Sequence, residues 1–189
     1  MKYPEIALAS SSPRRRELLT QLGVSFELVS IDVDETPFPA ELPEHYVSRL
    51  AVAKAVAGAE KRHYAVPVLG ADTIVVAAGQ ILGKPADQQD FNRMMSLLSG
   101  RCHQVMTAVA VVTATGCQSE LVSTEVCFRV VTQAEADDYW QTGEPQDKAG
   151  GYGIQGSAAR FIQRINGSYT AVVGLPLCET DALLRRLQD

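Results

Sequence analysis

The sequence is poor in aromatic residues and cysteine and has no excess of positive charge. Its 189 residues include one Trp and four Cys, and 17 Lys and Arg stand against 22 Asp and Glu, for a net charge of -5. This balance disfavours non-specific binding to nucleic acid, so any basic cluster must serve a local purpose. No apolar run approaches the roughly 18 residues of a membrane span, and the N-terminus opens no apolar signal region. We therefore expect a cytoplasmic protein that binds neither nucleic acid nor a membrane.

The four cysteines are scattered along the chain, at Cys102, Cys117, Cys127 and Cys178. They form neither a C-x-x-C pair nor the spacing of a disulfide framework, so we expect reduced thiols in the core or at the surface. The length and the 46 % hydrophobic content suit a protein with a substantial core. We expect one domain over residues 1–189.

An aspartate interrupts the most strand-like stretch of the chain. Val68–Val76 is rich in Val and Ile, as a buried strand should be, but carries Asp72 in the middle. A buried carboxylate without a partner is very costly, so Asp72 must meet an ionic or hydrogen-bonded group there. The alternative is a solvated turn closed by Gly70 and Asp72. The rest of the chain supplies cations but no other carboxylate so well embedded in apolar sequence, which favours a site at Asp72.

A helix start near the N-terminus has the features of an anion site. We expect a short strand at Ile6–Ala9, followed by a helix. Ser12 is the expected N-cap of this helix, Pro13 its first residue and Gly23 its C-terminal stop. Free backbone N–H groups at such a start bind anions, whereas the arginines at 14–16 oppose the helix dipole. A phosphate would resolve that conflict, since Arg binds phosphate oxygens bidentately. The alternative is a solvated basic turn.

Further charged residues fall in positions that permit two interpretations. The acidic loop of residues 32–37 is either solvated or offers a carboxylate to a divalent cation. Residues 44–58 predict an amphipathic helix with Lys54 on its apolar stripe. The Lys54 ammonium either reaches out to solvent or points into a cleft to meet phosphate. Lys84 lies on a constrained turn between Gly83 and Pro85, and residues 147–156 form a glycine-rich stretch that is either flexible or binds a ligand.

The remaining pattern mixes helices with hairpins and so predicts a mixed sheet. We expect an antiparallel pair at 105–112 and 122–130, and a second hairpin of 161–165 with 171–173 around Asn166-Gly167. Thr132-Gln133-Ala134-Glu135 predicts a capping box. A lone His103 is more often a structural hydrogen-bonding group than a catalyst.

The sequence contains no Ser-His-Asp order, no zinc spacing and no Walker or dinucleotide glycine pattern. Cations and embedded carboxylates without a nucleophile suggest water that attacks a phosphoanhydride, with catalysis by positioning and charge neutralisation. Asp72 would orient or deprotonate that water, with Mg²⁺ held between carboxylates and phosphates.

Five segments together resemble the Maf family of nucleoside triphosphate pyrophosphatases, in its order and spacing over nearly the whole chain. They are Ser10-x-Ser12-Pro13-Arg14-Arg15, Gly70-Ala71-Asp72-Thr73, Gly83-Lys84-Pro85, Ser99-Gly100-x-x-His103 and Lys148-Ala149-Gly150-Gly151-Tyr152-Gly153-Ile154-Gln155-Gly156. The resemblance implies an α/β fold with an elongated mixed sheet flanked by helices, two lobes and a central cleft, similar to inosine triphosphate pyrophosphatases. It also implies a divalent cation, Mg²⁺ or Mn²⁺, and often a homodimer.

The resemblance also implies the activity and the roles of individual residues. A nucleoside triphosphate would be hydrolysed to the monophosphate and pyrophosphate, with Asp72 as proton acceptor and as a candidate metal ligand together with Glu35. Arg14, Thr73 and Gln155 match positions that separate the family's substrate subgroups. Residues expected to bind phosphate or line the cleft are Ser10, Ser12, Arg14, Lys54, Lys84 and Lys148.

Gly153-Ile154-Gln155-Gly156 resembles the subgroup that acts on dTTP and UTP. The other main subgroup, which prefers 7-methyl-GTP, has an acidic residue near the end of this loop. A Gln side chain both donates to and accepts from a pyrimidine edge, whereas a carboxylate only accepts. Two alternatives stay open: a 7-methyl-GTP pyrophosphatase, and a nucleotide-binding regulator of cell division and septum formation without essential catalysis.

Overall fold

The computed structural model describes residues 3–188. Within these residues, seven strands form one sheet: β1 (Ile6–Leu8), β2 (Phe26–Leu28), β3 (Val68–Ala77), β4 (Gln80–Leu82), β5 (Cys102–Thr113), β6 (Gly116–Phe128) and β7 (Ile162–Asn166). Their order in the sheet is β2-β1-β3-β5-β6-β7, with β4 paired to β3. Strand β1 is parallel to β2 and β3, whereas β3 with β4 and β6 with β7 are antiparallel. The predicted mixed sheet is thus confirmed.

Six α-helices accompany the sheet within the described residues. They are α1 (Pro13–Leu22), α2 (Pro43–Lys61), α3 (Gln88–Leu98), α4 (Gln133–Gln141), α5 (Tyr169–Val173) and α6 (Leu177–Arg186), and shorter 3-10 turns cover Glu144–Asp147, Ala149–Gly151 and Ser157–Phe161. None of the helices in this part of the chain is long and apolar enough to cross a membrane. The described chain divides into two compact units.

The first unit contains the described residues up to Asp72, Thr107–Val122 and the described residues from Gly174 onward. Helix α1 begins and ends as predicted. The Ser12 hydroxyl accepts from Arg15 N, Pro13 takes the first position, and Gly23 closes the helix in the left-handed region at φ 78°. These caps fix the start of α1 directly after the buried strand β1.

Helix α2 crosses β3 at very close range in this unit. A Cβ atom at Gly70 would lie 2.5 Å from Ala55 N and 2.6 Å from Ala51 O, so only glycine allows this approach. The predicted helix of residues 44–58 is confirmed, and it extends to Pro43–Lys61. The close crossing sets Lys54, one turn along α2, against the part of β3 that carries Asp72.

The second unit contains Thr73–Met106 and Ser123–Val173. Its core joins apolar residues of α3, α4, β6 and the 3-10 turn Ser157–Phe161, including Phe91, Met94, Met95, Leu98, Phe128, Tyr139 and Phe161. The predicted capping box is confirmed, because Thr132 and Glu135 exchange hydrogen bonds at the start of α4.

The predicted second hairpin is wrong. Residues 171–173 lie in helix α5, and β7 pairs with β6 instead. The cause is local chemistry after Gly167: the Ser168 hydroxyl accepts from Ala171 N at 3.2 Å, and the Ser168 carbonyl accepts from Val172 N. A serine that satisfies these N–H groups starts a helix where the apolar run 171–173 suggested a strand. The predicted strand to 130 also ends early, since β6 stops at Phe128 and Val130 is 72 % exposed.

The expectation of four reduced thiols is wrong for two of them. Cys102 and Cys127 form a disulfide between β5 and β6, with Cα atoms 3.9 Å apart. Cys117 and Cys178 are free and exposed, as expected for surface thiols. The two cysteines are 25 positions apart in the sequence, a spacing that matches no cysteine motif, and the pairing of the two strands places them together.

Candidate active site

The centre of the candidate site is a buried ion pair. Lys54 Nζ lies 2.7 Å from Asp72 Oδ1, and each residue is only 8 % exposed. Asp72 lies inside the continuous strand β3, so the alternative of a solvated turn at this position is excluded. The alternative for Lys54, an ammonium that reaches out to solvent, is excluded by the same contact. A buried carboxylate is tolerated here because a cation pairs with it.

A second carboxylate meets the same ammonium. Glu35 Oε1 lies 2.7 Å from Lys54 Nζ, although the Glu35 side chain is 56 % exposed. Its loop is fastened to α2, because Tyr46 OH donates to the Glu35 carbonyl at 2.8 Å and Arg49 donates to the Thr36 carbonyl at 3.2 Å. One helix therefore supplies the central cation and holds the acidic loop beside it.

The negative charge of this cluster affects the pKa of the neighbouring Tyr46. Burial raises the pKa of the Tyr46 hydroxyl, and the negative charges of Asp72 and Glu35 raise it further. A neutral phenol is thereby favoured, and it donates the hydrogen bond that positions the acidic loop. Sequence reasoning did not select Tyr46, and no motif marks it.

The start of α1 contributes a second cationic group. Arg15 Nε donates to the Gly174 carbonyl at 2.8 Å, and Arg15 Nη1 lies 3.4 Å from the Ser10 hydroxyl. Ser12 N also donates to Ser10 Oγ, at 3.2 Å, so the loop between β1 and α1 is internally ordered. The sequence placed Arg15 in a basic run and in one of the five family segments, but Arg14 was chosen as the ligand-binding arginine.

Arg15 is electrostatically connected to the central carboxylates. Burial lowers the pKa of its guanidinium and the neighbouring charge of Arg14 acts in the same direction, whereas Asp72 and Glu35 act against both. The first unit therefore gathers the expected residues Ser10, Ser12, Arg14, Glu35, Lys54 and Asp72. Its cations and carboxylates come from α1, α2, β3 and the loop that carries Glu35.

Two carboxylates that share one cation form a donor set suited to Mg²⁺ or Mn²⁺. Magnesium prefers oxygen ligands and is usually held by one or two carboxylates together with substrate phosphates and waters. Glu35 and Asp72 meet that description, since both lie 2.7 Å from a single positive group. Elsewhere in the described chain, Cys102, Glu125 and Cys127 form the one cluster of three potential ligand side chains, but its cysteines are disulfide-bonded.

The other expected residues lie in the second unit. Thr73 follows Asp72 on β3 and is partly buried, and Lys84 is exposed after β4. The Gly83 carbonyl accepts from Gly150 N at 2.9 Å, which joins the Lys84 turn to the glycine-rich stretch. That stretch is an ordered loop, because a Cβ at Gly150 would lie 2.9 Å from the Val75 side chain.

Lys148 and Gln155 occupy different settings within this loop. Lys148 Nζ lies 2.7 Å from Asp147 Oδ1 and donates to the Glu144 carbonyl at 2.8 Å. The Lys148 ammonium is therefore paired with neighbouring residues of the chain. Gln155 is exposed in the turn Gly153–Gly156, where Gly156 N donates to the Gly153 carbonyl at 3.1 Å. Its side chain is therefore presented outward from a fixed backbone.

His103 is a structural residue, as the sequence led us to expect. It is buried, and its Nε2 lies 2.7 Å from the Tyr152 hydroxyl. Burial lowers the pKa of the imidazole to about 4, which keeps it neutral at physiological pH. The pair links β5 to the glycine-rich loop within the second unit.

The family model described as "Maf-like protein" matches residues 5–187. The chain belongs to this family. This confirms the resemblance read from the five sequence segments.

Relatives within the family are similar over nearly their whole length. The chain is 55 % identical over 180 residues to the dTTP/UTP pyrophosphatase of Pseudoalteromonas translucida, with 95 % of each chain covered. It is 53 % identical over 191 residues to the dTTP/UTP pyrophosphatase of Photobacterium profundum, with 98 % of this chain and 97 % of the relative covered.

Solved structures with a detectable likeness are much more distant. A nucleoside-triphosphatase / dITP/XTP pyrophosphatase from Mycobacterium abscessus is 19 % identical, with a TM-score of 0.42 over 66 % of this chain and 72 % of the other. The Staphylococcus aureus Ham1 protein is 11 % identical, with a TM-score of 0.44 over 66 % and 71 %.

Proposed function

We propose that the protein hydrolyses dTTP and UTP to the nucleoside monophosphate and pyrophosphate. The observation that carries the proposal is the cluster in which Lys54 bridges Asp72 and Glu35 at 2.7 Å each. Family membership supports it, as do relatives named dTTP/UTP pyrophosphatase that share more than half of their residues with this chain. Buried opposite charges without a nucleophile suit hydrolysis by water.

In this proposal Asp72 orients the attacking water and accepts its proton. The water oxygen forms the new bond to phosphorus, the phosphoanhydride bond breaks, and its electron pair leaves with pyrophosphate. Lys54 holds the Asp72 carboxylate in one orientation through their 2.7 Å contact. Rigid placement of such groups lowers the barrier without reorganisation at the moment of reaction.

Phosphate binding is assigned to the start of α1 and to the lysines. Ser10, Ser12 and Arg14 surround the first turn of α1, whose N–H groups favour anions. Lys54, Lys84 and Lys148 are further phosphate-binding candidates, on the strength of the family resemblance. We add Arg15 to this set, because its guanidinium is held by the Gly174 carbonyl, between α5 and α6, and by the Ser10 hydroxyl, in the loop before α1.

A divalent cation, Mg²⁺ or Mn²⁺, would be held by Glu35 and Asp72 together with phosphate oxygens. When bound it would neutralise phosphate charge and polarise the bond that breaks. Glu35 is placed for this role by Tyr46, which anchors its backbone carbonyl.

Substrate selection is assigned to Arg14, Thr73 and Gln155. The exposed Gln155 amide can donate to and accept from a pyrimidine edge. We further propose that residues 1–189 act as one domain, since the family match spans 5–187, and that the protein works in the cytoplasm. A homodimer remains a proposal that light scattering after size exclusion would test.

A substrate panel tests the proposed function. The purified protein is incubated with dTTP, UTP and 7-methyl-GTP in the presence of Mg²⁺ or Mn²⁺, and the products are separated by anion exchange. We expect monophosphate and pyrophosphate, with both pyrimidine nucleotides preferred. Equal or faster turnover of 7-methyl-GTP would contradict the subgroup assignment, and binding without turnover would favour the regulator.

A further inference from the structure

The turn that presents Gln155 rests on a pair of side chains outside the five family segments. Tyr139, at the end of α4, lies in the core of the second unit, where its ring packs against Phe91 and Phe161 at centroid distances of 6.0 and 5.5 Å. Glu144 begins the 3-10 turn Glu144–Asp147. The Tyr139 hydroxyl donates to Glu144 Oε1 at 2.7 Å.

This pair holds the Gln155 turn on both sides. Gly153 N donates to the Tyr139 hydroxyl at 3.3 Å, and Ser157 N donates to Glu144 Oε2 at 2.9 Å. The two anchored amides lie two residues before and two residues after Gln155. The turn between them is closed by its own hydrogen bond from Gly156 N to the Gly153 carbonyl.

The glycines of the turn allow it to lie directly on this support. A Cβ at Gly156 would collide with the Glu144 carboxylate, and a Cβ at Gly153 would lie 2.7 Å from Lys148 Cε. Ile154 is buried, whereas Gln155 is exposed. The backbone of the turn and the Ile154 side chain are therefore fixed, whereas the Gln155 side chain is exposed.

The charge state of the pair suits this role. Partial burial acts to raise the pKa of the Glu144 carboxyl, but the hydrogen bonds from Ser157 and Tyr139 and the charge of Lys148 outweigh it, so the pKa lies below its usual value. Burial, and then the bond to Glu144, raises the pKa of Tyr139. A carboxylate that only accepts and a phenol that both donates and accepts satisfy both backbone amides.

We propose that Tyr139 and Glu144 are positioning residues that fix the Gln155 turn for recognition of the nucleobase. The proposal rests on the proposed function, in which Gln155 selects the base. Neither residue needs to touch substrate. Their effect passes through the Gly153 and Ser157 amides to the orientation of the Gln155 side chain.

Steady-state kinetics of Tyr139→Phe with dTTP test the proposal. This change keeps the packed ring and removes the hydroxyl that accepts from Gly153. We expect KM to rise roughly fivefold to tenfold, the usual effect of one lost hydrogen bond, with kcat within about twofold. The preference for dTTP over 7-methyl-GTP, measured as a ratio of kcat/KM, should fall by a similar factor.

A double-mutant cycle separates positioning from a merely structural effect. In a Gln155→Ala background, Tyr139→Phe should change KM by less than about twofold, because the residue that it positions is gone. Tyr169→Phe, which removes the hydroxyl of an exposed tyrosine in the same unit, should leave KM unchanged. An equal rise of KM in the Gln155→Ala background, or a loss of kcat at unchanged KM, would overturn the proposal.

Hydrogen exchange supplies a readout that does not depend on activity. The Gly153 and Ser157 amides should exchange roughly fivefold or more faster in Tyr139→Phe than in the wild type. If Tyr139→Phe does not fold, Glu144→Gln serves instead, because its amide keeps the shape but can accept at only one of the two oxygen positions. Unchanged exchange would overturn the proposal even if dTTP is hydrolysed. If the wild type turns over no nucleotide while exchange responds as expected, the proposed function fails separately from the anchoring of the turn.

Discussion

Lys54 has a structural role in the fold and a second, proposed role in the function. Lys54 directly precedes Ala55, where α2 comes closest to β3, and its ammonium neutralises the buried Asp72 and also meets the Glu35 carboxylate. Removing one member of a buried ion pair leaves the other without compensation, at a cost of about 3 kcal/mol. If the proposed function holds, stability and activity depend on the same side chain.

Lys54→Met tests this dependence at the residue scale. We expect a loss of about 3 kcal/mol in the free energy of unfolding, because Asp72 stays buried without its cation, and a fall in dTTP turnover of at least about 100-fold. Urea unfolding and pyrophosphate release measure the two effects. Lys61→Met, which alters an exposed lysine of the same helix, is the control. A variant that keeps wild-type turnover would remove Lys54 from the site.

The buried, neutral His103 should make the stability of the protein depend on pH. Its folded pKa of about 4 lies below the ordinary value of 6.5, so the unfolded chain binds the proton first as pH falls. The protein should therefore lose stability as pH drops from about 6.5 to about 4, by about 3 kcal/mol in total from this residue. Above pH 6.5 both states are neutral and the effect vanishes.

His103→Gln should flatten this part of the pH dependence, measured by urea unfolding between pH 7.5 and pH 4.5. The exposed His45 supplies the control His45→Gln. If His103→Gln retained the full acid-induced loss, the buried neutral histidine could not be its source.

At the scale of elements, the contact between α2 and β3 determines the geometry of the site. Gly70 leaves no room for a Cβ, with Ala55 N and Ala51 O at 2.5 and 2.6 Å from its ideal position. Gly70→Ala should force the helix away from the strand, destabilise the protein by about 2 kcal/mol and lengthen the Lys54–Asp72 contact. The midpoint temperature of thermal unfolding and the rate of dTTP turnover should both fall.

The matched control for this prediction is Gly116→Ala, since nothing lies within 4 Å of a Cβ at that position. It should leave stability within about 0.5 kcal/mol of the wild type. If Gly70→Ala behaved like the control, close approach of the helix would not be what sets the ion pair.

Elements with strong local signals could be predicted from the sequence, and those fixed by distant partners could not. Ser12, Pro13 and Gly23 bound α1 by their own chemistry, and Thr132 with Glu135 does the same for α4. The apolar run 171–173 was misread because Ser168, which starts α5, outweighs strand preference there. The Cys102–Cys127 disulfide depends on strand pairing between residues far apart in sequence, which spacing does not reveal.

For the whole molecule, the sequence singled out candidate site residues but not the contacts between them. Asp72 stood out because a carboxylate in an apolar strand needs a partner, and Lys54 because a cation lay on an apolar helix face. That each is the other's partner follows only from the crossing of α2 over β3. Tyr46 and Arg15 escaped selection because their roles arise from contacts with the acidic loop and with Gly174.

Pyrophosphate release from dTTP by the wild type and by Asp72→Asn tests whether Asp72 is the proton acceptor in the hydrolysis. The asparagine keeps the shape of the side chain but cannot accept the proton of the attacking water. We predict that the wild type yields dTMP and pyrophosphate, and that the variant binds dTTP within a few-fold of the wild type while its turnover falls by about 1,000-fold or more. Turnover by Asp72→Asn close to that of the wild type would contradict the account.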